Sequence, residues 1–115
     1  MSLEGKDVLL VGYFSAKQKR HAVLMNELAD SVTSLGARVV ERFVQRRGVS
    51  AGGVKAMGRP YSSRTLVSAG KVREIASARE ETGAEVVIFL NPLTDHQRDA
   101  LAEVFGCMVI SSTDL

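Results

Sequence analysis

From Gln45 to Glu74 the chain reads QRRGVSAGGVKAMGRPYSSRTLVSAGKVRE, guanidinium and ammonium groups spaced by glycines and serines. Groups of this type bind anionic oxygen: arginine forks and lysine point charges neutralise phosphates. Between Arg38 and Arg73 stand nine Lys or Arg (Arg38, Arg42, Arg46, Arg47, Lys55, Arg59, Arg64, Lys71, Arg73) against Glu41 alone, a local net of +8. The remainder carries −6, so the total of +2 conceals a dipolar molecule. Such a patch marks either an anionic partner such as nucleic acid or a solvated charged loop, and charge alone leaves both readings open. The candidate RNA contacts are Arg46, Arg47, Lys55, Arg59, Arg64 and Lys71. Tyr61 could stack on a base or anchor its own loop.

Gly70-Lys71 invites comparison with a phosphate-binding loop, in which backbone amides cradle phosphates and a Ser or Thr hydroxyl holds magnesium. Val72 stands where the hydroxyl is needed, and Thr65 where the first glycine is needed. No triphosphatase centre is read here, and the chain is expected not to be an enzyme. A dinucleotide fingerprint fails likewise, because Gly12-Tyr13-Phe14-Ser15 lacks the second and third glycines. Neither the first nor the third predicted strand ends in the Asp that a receiver-type phosphoacceptor requires. His21 and His96 lie far apart on predicted helices without companion ligands, so no metal site is expected. Cys107 opens a predicted strand and reads as a small hydrophobe. Ser15 reads as the N-cap of the first helix, although the same helix end could hold a phosphate.

These groups need a scaffold, and 115 residues at 45% hydrophobic content suffice for one domain with a real core. A single cysteine excludes an intramolecular disulfide and suits a reducing cytoplasm. No apolar run approaches the roughly 20 residues that span a bilayer, and no leader pattern precedes the first strand. Met1-Ser2-Leu3 is given no structural role.

The apolar run Asp7 to Gly12 predicts a strand buried on both faces. Met25, Leu28, Val32 and Leu35 recur at helical spacing within Ala16 to Leu35, closed by Gly36. Ala37 to Val44 predicts a second strand whose Arg38, Glu41 and Arg42 suit a sheet edge. After a long basic, glycine-containing connection at about 45–68, Gly70 to Thr82 predicts a second helix ended by Gly83. Ala84 to Leu90, rich in β-branched residues, predicts a central strand broken by Asn91-Pro92. Thr94 caps a third helix to Phe105, Gly106 ends it, and Cys107 to Ser111 predicts the last strand. Alternating strands and helices imply an α/β fold over 1–115: a four-stranded parallel sheet, order 2-1-3-4, flanked by helices. A connection so much longer than the usual few residues predicts irregular structure at Gly48 to Ser63. In this topology a crevice opens at the carboxyl ends of strands 1 and 3, where Gly12, Tyr13, Ser15, Asn91 and Thr94 are candidates to bind a small ligand, a nucleotide above all.

Gln45-Arg46 followed by Thr65-Leu66-Val67-Ser68-Ala69-Gly70-Lys71-Val72-Arg73-Glu74-Ile75 resembles the N-terminal domain of the HflX family of ribosome-associated GTPases. So do Gly83 to Phe89, Leu93-Thr94 with Gln97 and Leu101, and Val109-Ile110 with Thr113 and Leu115. The likeness runs from about Lys6 to Leu115. Ser68 stands where the family usually has the first glycine of Gly-x-Gly-Lys, Asp99 where it usually has Arg, and Ser111-Ser112 where it usually has Asp-Arg. The resemblance implies a non-catalytic domain that helps its GTPase engage the large ribosomal subunit or its rRNA in splitting or rescue of stalled ribosomes. In some members it is also linked to a second nucleotide-binding activity. GTP and magnesium are implied only for the P-loop domain that in the family follows a helical linker. These 115 residues hold neither segment, which leaves open an excised fragment or a stand-alone relative. An interaction domain using an exposed sheet edge is a third reading.

Overall fold

Along the first strand, alternate side chains enter two different cores, which is why its apolar run is continuous rather than alternating. The computed structural model describes residues 3–14, 20–46 and 69–115. Its elements run β1 (Asp7–Phe14), α1 (His21–Ser34), β2 (Arg38–Arg46), α2 (Ala69–Thr82), β3 (Val86–Phe89), α3 (Asp95–Phe105) and β4 (Met108–Ser111), then a short 3-10 turn (Ser112–Asp114). The strands form one parallel sheet in the order β2-β1-β3-β4. Sequence and structure agree on this α/β architecture. The expectation for Gly48 to Ser63 lies outside the described residues.

Leu9, Val11, Val87, Phe89 and Val109 pack against Val72, Ile75 and Ala78 of α2 and Leu101 and Phe105 of α3. On the opposite face Val8, Leu10, Phe14, Val86, Ile88 and Ile110 join Met25, Leu28, Ala29 and Val32 of α1. Leu3, given no role from sequence, is 5% exposed and belongs to this second core. The turn that brings it there is pinned by Gly5 donating to Gly36 O and by Lys6 donating to Leu3 O.

Pairing lengthens two strands past their sequence limits. β1 and β2 run together to Phe14 and Arg46, two residues beyond the apolar runs, because each residue added completes a rung with its neighbour. Between Val8 and Leu9 the register slips: Val8 opposes Val39 and Leu9 opposes Glu41, leaving Val40 as the extra residue of a bulge. Val39 and Val40 face opposite cores as strand neighbours do, and the extra residue brings Phe43, three residues past Val40, into the same core as Val40. β2 is the edge strand that its charges suggested, and Arg38 closes its start on Asp7 at 2.7 Å.

The helix ends follow local chemistry unevenly. Thr94 caps α3 in a full capping box: its side chain accepts from Gln97 N, and Gln97 Oε1 accepts from Thr94 N, both at 3.0 Å. Gly106 ends that helix at φ 69, a left-handed position open to glycine at little cost. The described part of α1 begins only at His21, with Arg20 at the N-cap position and no side-chain cap. The serine cap read at Ser15 lies outside the described residues.

Candidate functional site

At the carboxyl edge of the sheet, Asn91 stands two residues past the end of β3, and its side chain meets the main chain of β1. Asn91 Oδ1 accepts from Tyr13 N and Asn91 Nδ2 donates to Tyr13 O, both at 2.8 Å. The carboxamide thus supplies one more rung to the β1–β3 ladder, just past the main-chain bond from Leu90 N to Val11 O. A second side-chain stitch lies next to it, where Ser112 Oγ donates to Leu90 O at 2.6 Å. Ser111, 2% exposed, donates its N–H to Asp114 Oδ2 at 3.0 Å, and its hydroxyl lies 2.6 Å from Thr113 Oγ1. Polar side chains therefore tie β1, β3 and β4 together at this end.

Of the crevice candidates, Tyr13 and Asn91 are brought into contact, and the described groups are engaged within the fold. Gly12 is buried facing α1, where an added Cβ would lie 2.6 Å from Met25 Sδ and 2.8 Å from Phe14 Cε2. Its lack of a side chain makes room for packing. Tyr13 and Asn91 hold each other, and Thr94 spends its hydroxyl on the cap. Ser15 lies outside the described residues. Sequence signals missed the Asn91 clamp because nothing local marks a bond between residues 78 apart. The only hint was an Asn directly after a central strand, before a proline.

Of the basic candidates, Arg47, Lys55, Arg59 and Arg64 lie outside the described residues. Arg46 closes β2 opposite Phe14 in register. Lys71 stands half-buried in the first turn of α2, 3.5 Å from Glu74 Oε2. Arg42, on the same edge strand as Arg46, donates to Asn26 Oδ1 of α1 at 2.6 Å, which holds its guanidinium along that helix. Among the described residues all 13 acids of the chain stand against nine Lys or Arg, a net of −4. The other six cations are Lys17, Lys19, Arg47, Lys55, Arg59 and Arg64, and no acid accompanies them. They belong to the two connections that leave the carboxyl ends of β1 and β2, strands whose last residues, Phe14 and Arg46, are partners.

The remaining chemistry-bearing side chains lie apart. The His21 ring packs at 5.7 Å, tilted, on Phe14, and His96 is exposed on α3. Burial pushes the Cys107 thiol up from its ordinary pKa, partly opposed by a hydrogen bond from Arg79 and by that residue's charge. Arg79 Nη2 also donates to Gly106 O at 3.3 Å, placing a cation at the carbonyl end of α3. Among the described residues no group of three or more His, Cys, Asp or Glu is placed to hold a metal, and no helix is long and apolar enough to cross a membrane.

Comparison with known proteins gives two findings. A family model described as GTP-binding GTPase N-terminal matches residues 23–115. The chain is also similar to a protein from Flavobacterium psychrophilum named GTPase HflX, 26% identical over 109 residues. That match takes in 93% of this chain and 24% of the relative, so the chain spans about a quarter of the length of the curated protein it matches.

Proposed function

The chain belongs to the GTP-binding GTPase N-terminal family, and from that premise we propose that it binds RNA of the large ribosomal subunit, performing no phosphoryl transfer of its own. The charge partition carries this reading. A scaffold of net −4 bears two acid-free connections with six cations, both joined to the carboxyl ends of neighbouring strands. Acid-free, cation-rich connections in an otherwise acidic chain are attracted to a polyanion, while the acidic remainder is repelled by it. Contacts of this kind position a protein on RNA through phosphates without reading sequence. GTP and magnesium belong, on this reading, to a GTPase domain outside these residues. Ribosomes as the target place the chain in the cytoplasm, where a free Cys107 also stays reduced.

The test is neutralisation of Arg46, Arg47, Arg59 and Arg64 together, read as affinity for large subunits across a salt series. Each phosphate that the protein no longer neutralises flattens the log-log salt slope by roughly 0.7 to 0.9, so removing all four cations lowers it by about 3. The variant should keep the wild-type circular dichroism and unfolding midpoint, which separates lost binding from lost folding. Charge reversal at Glu80 and Glu81, exposed near the end of α2, is the control and should leave binding undiminished. A folded quadruple variant with unchanged affinity and slope removes the basic connection as the binding surface.

A further inference from the structure

We draw no further inference here: the strongest candidate, the Asn91 carboxamide clamped on both main-chain groups of Tyr13 at the carboxyl ends of β1 and β3, belongs to the crevice already described and spends its hydrogen bonds inside the fold, so that nothing there points to a ligand.

Discussion

Replacing Asn91 with alanine should lower stability by about 1 to 3 kcal/mol. Two 2.8 Å hydrogen bonds disappear, each worth about 0.5 to 1.5 kcal/mol net, and a main-chain donor and acceptor are left without this partner. The pair is part-buried, so water recovers some of the loss, which keeps the figure below the full penalty of two orphaned groups. Asn91→Asp separates the donor half of the clamp from the acceptor half. A carboxylate still accepts from Tyr13 N, but it turns an anionic oxygen toward Tyr13 O where an N–H had donated. At neutral pH this variant should therefore be at least as destabilised as the alanine variant. The ionised form is disfavoured in the folded state, so the introduced carboxyl titrates above its unfolded value of about 3.9. The folded protein then binds the proton more tightly, and the deficit relative to wild type is full above the raised folded pKa. It shrinks as pH falls through that value, because a protonated carboxyl donates to Tyr13 O again. Urea unfolding at pH 7 and at pH 4, with amide exchange at Tyr13, reads both effects. Equal unfolding midpoints for wild type and Asn91→Ala, with unchanged exchange at Tyr13, would refute the reasoning. A deficit for Asn91→Asp that stays constant across pH would refute its electrostatic half.

Thr94→Ala removes one side of the capping box and should cost about 1 kcal/mol, measured by thermal unfolding; an unchanged melting temperature would show that the cap carries none of the stability of α3. Purified chain should hydrolyse neither GTP nor ATP, since Val72 stands where a P-loop needs Ser or Thr; turnover that survives further purification and is abolished by a point mutation in this chain would overturn that. Cys107 alkylation by iodoacetamide should show a pH midpoint above that of an unfolded cysteine peptide, because burial disfavours the reactive thiolate more than Arg79 favours it. A midpoint at or below the peptide's would mean that Arg79 outweighs burial.

Where each element lies and what closes it was legible wherever the signal is carried by residues close in sequence. The apolar run from Val8 to Val11 and the β-branched run from Val86 to Phe89 announce two-sided burial, and both are central in the sheet. The spacing of Met25, Leu28 and Val32 gives the inner face of α1, and Thr94, Gln97 and Gly106 mark the ends of α3 through bonds that span a single turn. Alternation of strands and helices then restricts the order of the sheet, since short handed crossovers leave few arrangements. The concentration of cations between two elements was equally plain, because charge count needs no coordinates.

Other features exist only because distant segments meet. Leu3 gains its place in the core from a turn held by Gly36, and the extension of β1 and β2 to Phe14 and Arg46 comes from each strand supplying the other's partners. The bulge at Val40 reflects a register that neither strand encodes alone. The space beside Gly12, a candidate for binding a small ligand, is taken on its Cβ side by Met25 and Phe14, a matter of which helix covers that face of the sheet. From sequence, Asn91 reads as part of the break after the third strand and as a candidate to bind a ligand in the crevice. Its actual partner, 78 residues away, is set by the parallel pairing of β1 with β3, which brings the two strand ends within hydrogen-bonding reach. Short-range chemistry writes itself into neighbouring residues, whereas a hydrogen bond across a sheet depends on register, and register is settled by the packing of both faces together.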